Sequence, residues 1–156
     1  MTRVIRLITI TLAMLLLAGC EKYELDRRME ELCKKDGGVR VYETVKLPAS
    51  MFDQNGDPFP GWRGRPEHAR LGTDYRLLHK KLTLKDGDPD RGQGLLAKDE
   101  WQVIRVTSGE ILGEGVSYGR SGGDFIALGH FTSKSCPQQF GEAVAVVRAV
   151  FTKEEN

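Results

Sequence analysis

The sequence is poor in the residue patterns that most metal, redox and nucleotide sites require. Only three of its 156 residues are cysteines and three are histidines. It contains no CxxC pair, no HxH or HxxxH pair and no GKS or GKT tripeptide. The familiar zinc, dithiol and phosphate-loop motifs are therefore excluded. We expect no metal ion or other cofactor.

A surplus of charge of either sign is also lacking. The chain has 23 lysines and arginines against 22 aspartates and glutamates, which gives a formal net charge of +1. No basic run is longer than a pair, as at Lys34-Lys35 and Lys80-Lys81. Because nucleic-acid-binding proteins need a basic footprint, usually interleaved with aromatic residues, we expect no nucleic acid partner.

No apolar run reaches the roughly 20 residues that a membrane-spanning helix needs. The best candidate, Leu7–Leu17, has eleven residues and follows two positive charges, Arg3 and Arg6. A short apolar run behind a positive N-terminus is typical of a secretory signal peptide. The run ends in Leu17-Ala18-Gly19-Cys20, which resembles the lipobox of bacterial lipoproteins.

This resemblance implies that residues 1–19 are a signal peptide and that Cys20, lipidated on its sulfur, becomes the first residue of the mature chain. The family adds a diacylglyceryl group there and usually acylates the new amine, and two or three acyl chains anchor a protein stably. Enteric lipoproteins retained in the inner membrane carry Asp directly after the lipidated cysteine. This chain has Glu21 at that position, which resembles lipoproteins of the outer membrane. We expect an exported protein, lipid-anchored to the outer membrane and facing the periplasm. The alternative is an ordinary signal peptide that leaves Cys20 as a thiol.

Two further cysteines, Cys33 and Cys136, remain beyond the anchor. Thiols of exported proteins tend to pair in an oxidising compartment, so we predict a Cys33–Cys136 disulfide. Closing a loop of about 100 residues stabilises a fold by roughly 4–5 kcal/mol in the chain-entropy model. Two buried free thiols are the alternative.

Hydrophobic spacing predicts a single domain over residues 25–156, preceded by an anchor and spacer over residues 20–24. Leu25, Met29, Leu32 and Cys33 share one face of a helix, which we predict over residues 24–36 and which glycines terminate. A long irregular loop over residues 48–74 holds four of the six prolines. Loops of this length are often functional.

Alternating apolar residues and β-branched residues predict the strands. These lie over residues 39–47, 75–84, 101–107, 111–118, 125–128 and 143–151, with residues 95–97 ambiguous. The predicted fold class is α+β, with the N-terminal helix packed on a mainly antiparallel sheet of five or six strands.

The densest unusual segment is Gly113–Asp124, in which Tyr118, Arg120 and Asp124 form a candidate binding surface. An arginine on a glycine-rich loop can hold an anion beside exposed backbone N–H groups. The alternative is a hairpin whose glycines adopt positive φ.

A second candidate binding surface is Trp62 with Arg63 and Arg65 on the long loop. An aromatic residue beside arginines suits an interface. The alternative is that Trp62 caps the core.

One serine lies in a nucleophile motif, because Gly115–Gly119 reads GxSxG around Ser117. That motif requires a strand-to-helix elbow, and the glycine-rich stretch Arg120–Asp124 that follows breaks helices. We expect no catalytic residue. The alternative is a small envelope hydrolase that uses Ser117 with a histidine such as His130.

Neither the histidines nor the acidic clusters predict a metal site. His68, His79 and His130 are interpreted as surface or strand residues. Two clusters have the opening spacing of a calcium loop, but both lack its glycine at position six and its acid at position twelve. These are Asp86, Asp88 and Asp90, and Asp53, Asn55 and Asp57.

The segment Ser117–Asp124, with Cys136-Pro137, Lys35–Gly38 and Val41–Glu43, resembles a recurring pattern in uncharacterised small proteobacterial proteins. The resemblance implies one intact domain and no particular chemistry. We therefore predict a cell-envelope lipoprotein whose folded part is a non-catalytic binding module for an envelope protein or cell-wall component. A structural subunit of an envelope assembly is a further alternative.

Overall fold

The chain folds, as the sequence predicts, into an α+β arrangement with an N-terminal helix on a mainly antiparallel six-stranded sheet. We describe it from a computed structural model, which describes residues 20–64, 69–124, 130–137 and 142–154. The helices and strands in these ranges are α1 Cys20–Asp36, β1 Gly38–Val41, β2 Val45–Leu47, β3 Arg70–Leu71, β4 Tyr75–Lys85, β5 Leu95–Arg105, β6 Ile111–Ser121, β7 Ser133–Cys136, α2 Glu142–Val150 and β8 Phe151–Lys153.

Three strands of eleven residues each form the centre of the sheet. β5 pairs antiparallel with β4 on one side and with β6 on the other. The strand order is β1-β6-β5-β4-β3, and β7 pairs with the part of β6 that β1 does not reach. β2 and β8 form a separate parallel pair.

The two helices cover opposite faces of the sheet. Residues an even number apart on a strand share a face, because side chains alternate. On one face Leu96, Val116 and Tyr118 pack against α1, and on the other Leu77 and Val103 pack with α2. The described chain thus has two core clusters separated by the sheet. Neither of its helices is long and apolar enough to cross a membrane.

Helix α1 buries the face that its apolar spacing predicts. Leu25, Met29 and Cys33 lie one turn apart and are buried against the sheet. The helix ends at Asp36, where the N–H of Gly37 donates to the carbonyl of Cys33 at 2.8 Å. It begins at Cys20 rather than at residue 24, so the predicted spacer over residues 20–24 is helical instead.

The strand predicted over residues 143–151 is wrong. Residues Glu142–Val150 form α2, and only Phe151–Lys153 are extended. Ala143, Val146, Val147 and Val150 are buried together at helical spacing. Burial of that face in the core therefore outweighs the preference of β-branched residues for strands.

The strand predicted over residues 39–47 is divided in two. β1 pairs with β6, whereas β2 pairs with β8 at the other end of the chain. The break occurs where the N–H groups of Tyr42 and Glu43 both donate to the carbonyl of Leu112, at 2.8 and 3.0 Å. Val39 and Val41 are exposed rather than half-buried.

The predicted strand segments at residues 95–97 and 101–107 are one continuous strand, β5. Three charged residues in its middle, Lys98–Glu100, hid this from the apolar pattern. Lys98 forms ion pairs with Glu100 and Asp36, and Asp99 Oδ1 is 2.7 Å from His79 Nε2. Strand β7 was not predicted. The strand predicted over residues 125–128 lies outside the described residues.

The described parts of the predicted irregular loop, residues 48–64 and 69–74, hold only short 3₁₀ turns and the two-residue strand β3. They nevertheless supply Phe59, Trp62 and Leu71 to the core cluster under α2. The Phe59 ring packs edge-on against the Phe151 ring, with centroids 4.9 Å apart. This segment therefore closes one side of the core.

Candidate functional site

Cys33 and Cys136 are joined by a disulfide, as predicted. Their sulfur atoms are 2.03 Å apart and their Cα atoms 6.0 Å apart. Cys136 is the last residue of β7 and is paired with Tyr118 of β6. The disulfide therefore ties the C-terminal end of α1 to the edge of the sheet that α1 covers.

Tyr118 lies beneath α1 and is almost completely buried. Its hydroxyl donates to Asp36 Oδ1 at 2.7 Å, and Lys98 Nζ is 3.0 Å from Asp36 Oδ2. Burial and the hydrogen bond to Asp36 raise the pKa of Tyr118 to about 12. The phenol is therefore a neutral donor that holds the end of α1 on the sheet.

Arg120 lies two residues further along β6, on the same face, and is 2% exposed. Its Nε is 2.8 Å from Asp26 Oδ1 on α1. Its Nη1 donates to the carbonyls of Gly122 and Thr132, at 2.9 and 2.7 Å. Every partner is internal, so the guanidinium joins the helix, the strand and the segment that precedes β7.

Asp124 completes the same region near the start of α1. Its carboxylate accepts from the N–H of Thr132 at 2.7 Å and is 2.9 Å from Lys22 Nζ. The Thr132 N–H is the main reason that the pKa of Asp124 is lowered to about 2. The carboxylate is therefore ionised and fixed.

Together these side chains form a polar seam between α1 and the sheet, which we define as Asp26, Asp36, Lys98, Tyr118 and Arg120. Of the predicted binding surface, Tyr118 and Arg120 are buried, and all three side chains, including that of Asp124, form internal hydrogen bonds. The glycines next to them behave as the alternative foresaw, since Gly122 and Gly123 have φ of +74° and +78°.

The sequence carried a signal for the seam that the analysis of single residues missed. Val116, Tyr118 and Arg120 are two residues apart on one strand, so all three must face the same way. Asp26 follows Leu25 and precedes Met29 on the buried side of the helix. A buried arginine needs a carboxylate partner, and Asp26 was available.

Trp62 fits the alternative prediction, since it is buried in the core under α2. Its neighbour Arg63 forms an ion pair with Asp57, which is buried and also bound by Arg148 Nε at 2.7 Å. Burial alone would raise the pKa of Asp57, but the two arginines hold it below its ordinary value. Arg65 lies outside the described residues.

Ser117 is buried in the middle of β6, not on a strand-to-helix elbow. Its cross-strand partner on β5 is Asp99, and on β4 the Nε2 of His79 is 2.7 Å from Asp99 Oδ1. Neighbouring strands are about 4.8 Å apart, so Asp99 separates the serine from the histidine. A serine hydrolase needs its histidine against the serine, so His79 is not placed to activate Ser117.

His79 is otherwise held by Trp101, since the two rings stack with centroids 3.9 Å apart. His130 is exposed, and His68 lies outside the described residues. Among the described residues, no three or more His, Cys, Asp or Glu side chains are grouped to hold a metal ion. The two acidic clusters use carboxylates locally: Asp88 accepts from the N–H of Asp90, and Asp53 from that of Asn55.

The hairpin formed by β3 and β4 was not predicted as a site. It sets Arg70 directly opposite Arg76, across a turn that begins at Gly72. A hollow of about 260 Å³ opens beside it. Its lining consists of Arg70, Gly72, Thr73, Tyr75, Arg76 and Val106. In the sequence, Arg70 and Arg76 stand at equal distances from the centre of the turn, and this spacing could have indicated that they are paired.

Comparisons with protein-family models, with curated proteins and with solved structures find no match to this chain.

Proposed function

We propose that this protein is a lipid-anchored cell-envelope lipoprotein whose folded part is a non-catalytic binding module. The observation that carries the proposal is the sequence Leu17-Ala18-Gly19-Cys20 behind a short apolar run and two arginines. The Cys33–Cys136 disulfide supports it, because disulfides persist in oxidising compartments outside the cytosol. We place the anchor in the outer membrane, facing the periplasm, with an envelope protein or cell-wall component as the partner.

The contacts at the start of α1 indicate how an anchored domain would be held relative to the membrane. The helix begins at Cys20, and its first turn is already tied to the sheet: Glu21 is 2.7 Å from Lys85 Nζ, and Lys22 is 2.9 Å from Asp124. An acylated Cys20 would then sit on a packed helix without a flexible spacer. The domain would be held directly against the lipid surface.

Two exposed aromatic side chains lie at this end of the molecule. Tyr23 is on the first turn of α1 and is 75% exposed. Phe131, 42% exposed, precedes Thr132, which binds the same Asp124 carboxylate as Lys22. Tyrosine and other aromatic residues favour the boundary between lipid and water. Their position supports an orientation with this end on the membrane.

Lipidation is tested by labelling cells with palmitate. We expect the wild-type chain to take up label and to fractionate with membranes, and Cys20→Ala to lose the label and leave the membrane. The double variant Cys33→Ala/Cys136→Ala is the matched control, since it removes two cysteines but should stay labelled. Label retained in Cys20→Ala, or absent from the wild type, would refute the anchor.

A further inference from the structure

The Arg70–Arg76 hairpin brings two positive charges together. Directly opposed residues of an antiparallel pair have Cβ atoms about 4.5–5.5 Å apart on the same face, and like charges there are destabilising. Within the described ranges, neither arginine forms an ion pair. Arg105, on the neighbouring strand, pairs with both Glu43 and Glu110. Among the described side chains, none offsets the repulsion between the two guanidinium groups, and an anion would relieve it.

The hollow beside the hairpin has the character of an anion site. Both charged side chains that line it are cationic. The Thr73 hydroxyl also lines it, but it donates to Asp74 Oδ1 at 3.0 Å, so the two arginines are the groups available to an anion. The hollow's volume of about 260 Å³ is just below the roughly 300–1,000 Å³ of pockets that take larger organic ligands. A small oxyanion group fits this size, and the planar fork of arginine matches such groups with paired hydrogen bonds.

The hairpin is held in place by the core. Tyr75, which lines the hollow, packs its ring against the ring of Phe151 at 4.9 Å between centroids. Gly72 has φ of +69°, and a Cβ there would lie 3.1 Å from the Phe59 ring. The N–H of Val106 donates to the carbonyl of Asp74 at 2.8 Å. The two arginines are thus mounted on a fixed turn rather than on a free loop.

We infer that Arg70 and Arg76 form a binding site for a phosphate group. A phosphate monoester carries about −1.5 to −2 charge near pH 7, which matches two guanidinium groups better than the single charge of a carboxylate. Free inorganic phosphate and an organic phosphate monoester share this chemistry. The inference rests on the binding role in the proposed function but not on the anchor, so a chain that takes up no palmitate would still bind phosphate.

The test uses the full chain in a non-ionic detergent at low ionic strength, because salt screens exposed charges. Inorganic phosphate, glycerol phosphate and acetate are titrated separately, and binding is followed by calorimetry and by backbone amide NMR. We expect saturable phosphate binding, with shifts confined to residues 70–76 and Val106. Tighter binding of glycerol phosphate would identify an organic monoester as the source, and tighter binding of inorganic phosphate the free ion.

Arg70→Gln and Arg76→Gln should each weaken phosphate binding about tenfold or more, the scale of a lost charge-assisted hydrogen bond. Arg28→Gln is the matched control, since Arg28 is an exposed arginine of α1. This variant should bind phosphate with the same affinity as the wild type. Both hairpin variants should melt no lower than the wild type at low salt, because each relieves repulsion. Equal affinity for acetate and phosphate, no saturation, or equal loss in Arg28→Gln would overturn the inference.

Discussion

Arg120 carries a full charge in an almost completely buried position. The free-energy cost of removing such a charge from water is large, and a close carboxylate with further hydrogen bonds offsets it. Asp26 and the carbonyls of Gly122 and Thr132 supply these partners. Arg120 can therefore be buried only while these partners are present.

Arg120→Met should lower the free energy of unfolding by about 3 kcal/mol or more, because it leaves the Asp26 carboxylate and the Gly122 carbonyl without this donor. Urea unfolding followed by circular dichroism measures this. Arg27→Met is the control: Arg27 is largely exposed, and its contact with Glu31 is 3.9 Å, so its loss should cost less than about 1 kcal/mol. Equal costs for the two variants would mean that the seam adds no stability.

At the scale of elements, β6 is the strand that packs against both helices. Tyr118 and Arg120 face α1, while Gly113 lies under α2. A Cβ at Gly113 would be 2.6 Å from Val150 Cγ2. The absence of a side chain there lets the second helix approach the sheet closely.

Gly113→Ala should therefore push α2 away from the sheet and destabilise the fold by about 1–3 kcal/mol, the usual range for overpacking. Gly119→Ala is the matched control on the same strand, because a Cβ there would meet nothing within 4 Å. Its effect should be within about 0.5 kcal/mol. Thermal unfolding of the two variants side by side decides the matter, and a milder effect at Gly113 than at Gly119 would contradict the close approach.

The helices and strands that could be predicted from the sequence are those whose apolar residues recur at one regular spacing. α1 shows an apolar stripe and a glycine stop, and β4 and β6 show alternation, so each was located within a few residues. α2 was mistaken for a strand because valine favours strands locally, whereas burial of its valine face in the core makes the helix favourable. β7 has too few apolar residues to be seen, since its pairing with β6 and its disulfide specify it.

The candidate sites were less predictable because surface and interior are set by the whole molecule. Tyr118 and Arg120 look functional in a glycine-rich segment, yet the helix that covers them is more than 80 residues away in sequence. Arg70 and Arg76 attract no notice until the hairpin sets them opposite each other. The disulfide was predictable because two cysteines allow only one intramolecular pairing.

At the scale of the whole molecule, the proposed anchor and the far end of the sheet are well separated. β6 runs for eleven residues between them, which is about 33 Å between its end Cα atoms at roughly 3.3 Å per residue. Tyr23 lies at the end of the proposed anchor, and Tyr42, also exposed, lies at the other, where its N–H donates to the carbonyl of Leu112. Probes placed at these two positions would therefore report on opposite ends of the sheet.

In vesicles that contain a lipid-borne fluorescence quencher, Tyr23→Trp should be quenched well beyond the wild-type background, because residue 23 lies beside the anchor. Tyr42→Trp, the control at the opposite end, should be quenched no more than the wild type. Steady-state fluorescence of the lipidated chain measures both. Equal quenching at the two positions would indicate a domain that is tethered loosely rather than held by its first helix.

The position of the two cysteines also determines when the disulfide can form during synthesis of the chain. The two cysteines are 103 positions apart, and the second lies in the last fifth of the chain. A chain that stops before residue 136 keeps an unpaired thiol at the end of its first helix, however well that helix has formed. An oxidised Cys33 joined to Cys136 is therefore a chemical record that synthesis has passed residue 136, and a reactive thiol at Cys33 marks an unfinished molecule.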